Sequence, residues 1–269
     1  MAAAEQLDLF SAIAGPAERL PPGRTAGPAI ACDTLDDDSL VAAILDAGIR
    51  DRVALVAEAG CRGLAAAIPV LETLCRRFTG FGVDRIVPEQ AAALDALVAI
   101  GGADAAQTLV RLIAKRVVQG PCLRQAVAAA ARLGAKFSVG TVLELMRHDD
   151  PQIRAAACRC TRPQSELVPL LRDLLDDLHA DVRKAAACAL GRIGRSEVRA
   201  LLLRHLREEP TAELLDAIAP VADDECVILL GRVARAAPDL SGVVLDALDA
   251  IDHPRAEKIA NAIRERSPT

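Results

Sequence analysis

The chain has 269 residues, of which 52% are hydrophobic and 26% are charged, and its formal net charge at pH 7 is -5. This apolar content excludes an intrinsically disordered chain, and the apolar runs are shorter than the roughly 20 residues that a membrane span needs. The 54 alanines and 36 leucines are strong helix formers, whereas Trp and Tyr do not occur and there are only 4 Phe. The composition therefore predicts an all-α protein outside the membrane.

Eight cysteines are scattered along the chain, and several lie in alanine-rich stretches, as Cys158 and Cys188 do. This pattern is typical of free thiols packed as small hydrophobic side chains rather than of a disulfide framework. The sequence begins Met-Ala-Ala-Ala-Glu-Gln, with neither the basic nor the apolar region of a secretory signal. These two features predict a cytoplasmic protein.

Three regions follow one another along the chain. Residues 1–36 carry many Gly and Pro after Phe10, which predicts a flexible tail. Residues 37–87 have helical patterns but lack the regularly placed Pro and Gly of the repeats, so we expect degenerate capping helices. The first of them should begin near Ser39, with the preceding aspartates as caps. Residues 88–267 are expected to form about six repeats.

A two-helix unit recurs from residue 88 onward, with starts near residues 88, 121, 151, 181, 210 and 238. Five of these six starts carry a Pro, a residue that the first helical turn tolerates because its backbone N–H would be unpaired there anyway. An alanine-rich helix, a break and a leucine-rich helix follow each start. Neither helix can bury its apolar face alone, so neighbouring units are expected to stack.

The segment Asp181–Ala187, followed by Leu190-Gly191 and Ile193-Gly194, resembles HEAT repeats of the short, roughly 30-residue type, which also occurs in phycobilin-lyase subunits. The resemblance extends over residues 88–267. It implies a right-handed α-solenoid of stacked antiparallel helix pairs that serves as a scaffold and holds a protein partner on its concave face.

The pentapeptide Gln6-Leu7-Asp8-Leu9-Phe10 resembles the peptide by which many bacterial replication and repair proteins bind the DNA sliding clamp. The resemblance implies that Leu7, Leu9 and Phe10 are apolar anchors and that Gln6 forms a hydrogen bond at the edge of the cleft. The alternative is a short helix, from Glu5 to Ile13, that folds back onto the array.

Basic residues form two clusters along the repeats and are the candidate surface for an acidic protein or a phosphate backbone. The net charge of -5 disfavours general nucleic-acid binding. The alternative is that these basic residues lie on solvent-exposed helix faces and form ladders of Asp–Arg ion pairs between neighbouring repeats. The candidates are Arg111, Lys115, Arg116 and Arg124 in the first cluster, and Arg183, Lys184, Arg192, Arg195 and Arg199 in the second.

A loop at residues 76–82 places Arg76, Arg77, Phe78 and Phe81 beside two glycines. One interpretation is a partner-binding loop. The other is that both Phe side chains fill the seam between the capping helices and the first repeat.

Catalytic motifs are missing from the sequence. The 4 histidines have no metal-ligand spacing, and there is neither a phosphate-binding loop nor a nucleophile elbow. We therefore expect a non-enzymatic protein without cofactor or metal. The alternative, which rests on repeat type alone, is a phycobilin-lyase-like protein that handles a cofactor-bearing partner.

Overall fold

The computed structural model describes residues 34–161 and 164–266, in which all regular structure is helical and no strand occurs. None of its helices is long and apolar enough to cross a bilayer. Its fifteen α-helices are α1 Asp37–Ala43, α2 Ile49–Cys61, α3 Ile68–Arg77, α4 Pro88–Ile100, α5 Gly102–Ala114, α6 Gly120–Arg132, α7 Val139–Met146, α8 Pro151–Arg159, α9 Val168–Asp173, α10 Ala180–Arg192, α11 Arg199–Glu208, α12 Ala212–Ile218, α13 Asp224–Ala236, α14 Ser241–Asp249 and α15 Pro254–Arg266.

The helices form two layers. The A layer consists of the even-numbered helices α2 to α14, each of which packs against the next one. The B layer consists of the odd-numbered helices α3 to α15, and each of α3 to α13 packs against the A helix that follows it in the chain. This is the stacked, solenoid-like packing that the repeats predict. The helix pair α2 and α3 continues the stack before residue 88, since α2 packs on α4 and α3 packs on α5.

Short polar side chains and prolines determine where the helices begin. Asp36 caps α1 by accepting a hydrogen bond from the Ser39 backbone N–H at 2.9 Å, so this helix begins at Asp37, slightly earlier than expected. Asp150 and Asp223 cap α8 and α13 in the same way. Pro88 and Pro151 occupy the first positions of their helices, where no intrahelical hydrogen bond is lost.

The leucine spacing between Ser165 and Asp177 predicts one continuous helix, but the α-helical segment in the structure is shorter. This segment is α9, Val168–Asp173, and 3-10 turns lie on both sides of it. Pro169 lies in the first turn of α9, and its ring would clash with an α-helical carbonyl one turn earlier. The α-helix therefore starts directly before this proline.

Small residues let the A helices approach closely. In α10 every residue from Ala185 to Gly191 is buried, because α8 and α12 cover this helix from both sides. A Cβ atom added at Gly191 would lie 2.4 Å from the Ala217 carbonyl oxygen of α12. Likewise, a Cβ at Gly60 in α2 would lie 2.9 Å from the Cα of Ala96 in α4. The abundance of alanine and glycine thus has a packing cause.

Candidate partner-binding surfaces

The loop between α3 and α4, residues 78–87, concentrates exposed apolar side chains. Phe81, Val83 and Ile86 are 62%, 58% and 60% exposed. They are half of the large hydrophobic residues that are exposed in the described part of the chain; the other three, Ile49, Leu178 and Ile228, lie apart from one another in sequence. Exposed apolar side chains concentrated in one segment are typical of interaction sites in soluble proteins.

The backbone of this loop is held in place by close contacts. The Phe81 N–H donates to the Phe78 carbonyl at 3.0 Å, and the Thr79 hydroxyl donates to the Arg76 carbonyl at 2.8 Å. The start of α6 lies directly beneath the loop, since a Cβ at Gly120 would lie 2.0 Å from the Val83 carbonyl oxygen. Only glycine fits this position, where φ is also positive.

Gln90 ties this loop to the neighbouring helix ends from the core side. Its side chain is fully buried, and its Nε2 donates to the carbonyls of Cys75 at 3.0 Å, Val117 at 3.3 Å and Phe78 at 3.4 Å. The two N–H groups of one amide are therefore shared among backbone carbonyls at the end of α3, in the loop and beyond the end of α5. The apolar side chains of the loop project from a fixed base.

The two Phe side chains of the loop have different environments. Phe78 is half-buried and packs against the hydrophobic core, as the seam-filling interpretation expects, whereas Phe81 is exposed. The neighbouring arginines are engaged outside the loop: Arg76 forms an ion pair with Glu72 of the same helix at 2.5 Å, and Arg77 donates to the Leu45 carbonyl at 2.9 Å. Val83 and Ile86 complete the exposed patch and were not singled out from the sequence, although two apolar residues in a glycine-containing loop are a readable signal.

The first basic cluster is largely engaged in ion pairs between helices. Arg111 reaches Glu72 of α3 at 2.7 Å, and Arg124 reaches Asp150, the cap of α8, at 2.7 Å. Arg116 binds Glu144 of α7. Lys115 is exposed and has no ion-pair partner among the described residues.

The second cluster also serves the stack. Arg183 donates to the carbonyls of Asp177 and Leu178 at 2.7 and 3.1 Å. Arg199 donates to the Val221 carbonyl and binds Asp223, whereas Arg192 donates to the Cys158 carbonyl and lies 3.8 Å from Glu213. Within the described part, Lys184 has no ion-pair partner and the buried Arg195 Nε has no hydrogen bond.

The candidate basic residues do not share one layer of helices. Arg124, Arg183, Lys184 and Arg192 belong to A helices, whereas Arg111 and Arg199 belong to B helices. The ion pairs of these arginines affect the pKa of Glu72. The Arg111 guanidinium and, less strongly, Arg76 hold this pKa below its usual value, although burial of the carboxyl opposes them. Paired arginines are less available to a phosphate backbone than the sequence pattern indicates.

A groove of about 970 Å³ runs over the A helices α6, α8, α10 and α12. Alanine side chains, among them Ala128, Ala131 and Ala155, line this groove. Charges of both signs line its sides: Arg124, Arg132, Arg159 and Arg192 on the one hand, and Asp181, Glu213 and Asp216 on the other. The groove is a second candidate surface, without a net preference for one sign of charge.

The structure does not test the remaining candidate residues. The tail residues Gln6, Leu7, Leu9 and Phe10 lie outside the part of the chain that the structure describes. No cluster of three or more potential metal ligands occurs in residues 34–161 and 164–266.

The fold defines the class of protein: an all-α array of stacked helix pairs, with two layers of helices. Residues 141–222 match the family model for HEAT repeats. The chain also resembles the solved structure of YibA from Escherichia coli, with 14% sequence identity, coverage of 87% of this chain and 100% of that one, and a TM-score of 0.42. The chain matches no curated protein sequence. Residues 141–222 are therefore similar to HEAT repeats.

Proposed function

We propose that this protein is a non-enzymatic scaffold that binds a protein partner through the exposed loop between α3 and α4. The observation that carries this proposal is the set of three exposed apolar side chains, Phe81, Val83 and Ile86, on a backbone that Gly120 and Gln90 hold in place. An ordered apolar loop loses little conformational entropy on binding, so more of its contact energy becomes affinity. The partner would offer an apolar cleft to the loop.

The size of the patch suits reversible binding. Burial of each side chain is worth about 1–2 kcal/mol, given that these side chains are already partly covered. The sum of about 3–6 kcal/mol is less than the roughly 8 kcal/mol of micromolar binding, even before the entropy of association is subtracted, so further contacts around the loop must add to the affinity. Interfaces of this kind depend on a few central apolar anchors, and we assign that role to Phe81.

The experiment is affinity isolation from extract of the native cells with three forms of the full-length chain. Wild type is compared with the double variant Phe81→Ser, Ile86→Ser and with Leu178→Ser, a matched control because Leu178 is 92% exposed and lies in the loop before α10. We expect a protein that is recovered with wild type and with the control but lost with the loop variant. Identical recovery with all three forms would contradict the proposal.

We further propose that the tail binds the bacterial sliding clamp while the array holds the other partner. This proposal rests on the motif Gln6-Leu7-Asp8-Leu9-Phe10. Titration of the full-length chain against a purified clamp should give micromolar binding that Leu9→Ala, Phe10→Ala abolishes and that Phe81→Ser leaves unchanged. No binding at a concentration of roughly 100 μM would rule out the clamp, whereas loss of binding with Phe81→Ser would assign the clamp to the loop.

A further inference from the structure

A second groove lies between the B helices α13 and α15 and is separate from the loop between α3 and α4. Its volume is about 490 Å³, within the range of roughly 300–1,000 Å³ that is common for ligand-binding clefts. Its walls are mostly aliphatic: Ile228, Gly231, Ala234, Ile259, Ala262 and Ile263.

Close helix packing forms the floor of this groove. A Cβ added at Gly231 would lie 2.9 Å from Cγ2 of Ile259, so the glycine allows α15 to approach α13. Ile228, one turn earlier in α13, remains 41% exposed at the edge. Two polar groups on the wall are already satisfied, because the Ser241 hydroxyl donates to the Ala234 carbonyl at 3.2 Å and Arg235 Nε donates to the Gly231 carbonyl at 3.1 Å.

The charged residues that line the groove are both basic. They are Arg235 and Lys258, and neither forms an ion pair with any of the described residues. The acids at the start of α13 are engaged elsewhere, since Asp224 binds Arg255 at 3.0 Å and Glu225 binds Arg207. Glu257 is adjacent to Lys258 in sequence but does not line the groove. Two unneutralised cations thus flank an aliphatic floor.

We propose that the groove between α13 and α15 binds an acidic amphipathic segment of a partner protein. Aliphatic side chains of the segment would cover Ile228, Ile259 and Ile263, and its carboxylates would face Arg235 and Lys258. The aliphatic floor offers no aromatic surface on which a nucleic-acid base would stack. The two cations stand at the edge of an apolar surface, which suits a segment with both acidic and apolar residues better than a free anion. This surface is additional to the loop, so the scaffold would hold two protein segments.

The test uses a fluorescein-labelled helical peptide with Leu at positions i, i+3, i+4 and i+7 and Glu at the intervening positions, together with the same peptide carrying Lys in place of Glu. Fluorescence anisotropy with the full-length chain should give a Kd on the order of 100 μM for the acidic peptide at low salt and binding at least about tenfold weaker for the basic one. Lys258→Glu and, separately, Ile228→Asp should each weaken acidic-peptide binding about tenfold. Lys136→Glu, in an exposed lysine before α7, is the matched control and should leave it unchanged.

Several outcomes would overturn the proposal. They are equal affinity for the acidic and basic peptides, no acidic-peptide binding up to about 1 mM, and affinity that Ile228→Asp and Lys258→Glu leave unchanged. A labelled single-stranded oligonucleotide that binds more tightly than the acidic peptide, and that Lys258→Glu releases, would assign the surface to nucleic acid instead. Circular dichroism of each variant verifies that the fold is retained.

Discussion

Arg159 at the end of α8 and Glu213 at the start of α12 form an ion pair of 3.1 Å that passes over the intervening helix α10. Arg192 of α10 approaches the same carboxylate at 3.8 Å. The contact links helices two units apart in the stack. Most other ion pairs of the array join adjacent units.

This pair should be energetically coupled. In a double-mutant cycle with Arg159→Ala and Glu213→Ala, we expect a coupling free energy of unfolding of about 1 kcal/mol, because Glu213 is only partly exposed. The more exposed pair Arg172 and Glu197 is the control and should give about half of that value or less. Urea denaturation in low and high salt measures both couplings. Equal coupling free energies in the two cycles would contradict a stronger interaction between Arg159 and Glu213.

Gly191 should tolerate no larger residue. Gly191→Ala places a Cβ 2.4 Å from the Ala217 carbonyl oxygen and 2.7 Å from the Leu202 side chain, so α10 and α12 must separate. We expect a loss of about 2–3 kcal/mol in the free energy of unfolding. Gly140→Ala in α7 is the control, since nothing lies within 4 Å of the added atom. It should be neutral or stabilise by roughly 0.5–1 kcal/mol because alanine favours helix.

Asp177 should make the stability of the array sensitive to acid. Burial disfavours ionisation of its carboxyl, but hydrogen bonds from the Arg154 guanidinium and the His179 backbone N–H hold the pKa below its usual value. A folded pKa below the unfolded one, about 3.9, adds stability that is complete above that value and disappears as the pH falls through the folded pKa. Asp177→Asn should therefore lower the free energy of unfolding at pH 7 by about 2–3 kcal/mol.

The pH profile distinguishes this mechanism from a general packing defect. Between pH 7 and about pH 3, the wild type should lose more stability than Asp177→Asn, so that the two denaturation curves converge in acid. Asp38→Asn, in the exposed first turn of α1, is the control and should run parallel to wild type. A constant difference between wild type and Asp177→Asn at all pH values would contradict the proposed linkage.

The buried cysteines should be inert in the native protein. Burial raises the pKa of Cys75, Cys158, Cys160 and Cys188 to about 12 and that of Cys226 to about 11, so few thiolates exist at neutral pH. Cys61 is exposed, whereas Cys122 is buried. In a Cys32→Ser background, iodoacetamide at pH 8 should modify Cys61 alone, as counted by mass spectrometry. Modification of all remaining cysteines should require denaturant, and rapid modification of Cys158 or Cys188 without it would contradict the packing.

Much of the helical architecture is predictable because its causes are local in sequence. Pro88 and Pro151 begin α4 and α8 as the repeat pattern expects, and Asp36 caps α1. Alternation of alanine-rich and leucine-rich helices at a period near 30 residues predicts stacking, because each helix has an apolar face that it cannot cover by itself. The helix around α9 was predicted too long, since the periodicity of the leucines continues through Pro169 whereas the backbone hydrogen bonds do not.

The site residues depend on distances that the sequence does not contain. The charge pattern identified the arginines, but whether Arg111 meets Glu72 of α3 or a partner's phosphate depends on how closely successive helices stack. That spacing is set by contacts such as Gly191 against Ala217, between residues of different helices. Phe78 and Phe81 are three residues apart in one loop, yet only the second is exposed; the Gln90 amide holds the Phe78 carbonyl, and the backbone at Val83 lies against Gly120.

The sequence by itself determined the all-α class, the repeat and the N-terminal motif, since helix propensity, apolar periodicity and a linear peptide are properties of neighbouring residues. Only the tertiary structure decided which arginines are neutralised by ion pairs, which side chains of the loop face solvent, and that two cations flank the aliphatic groove between α13 and α15. These properties arise from the rotation and spacing of one helix pair relative to the next. Because the interface is closely packed, a single added methyl group there changes which side chains come into contact.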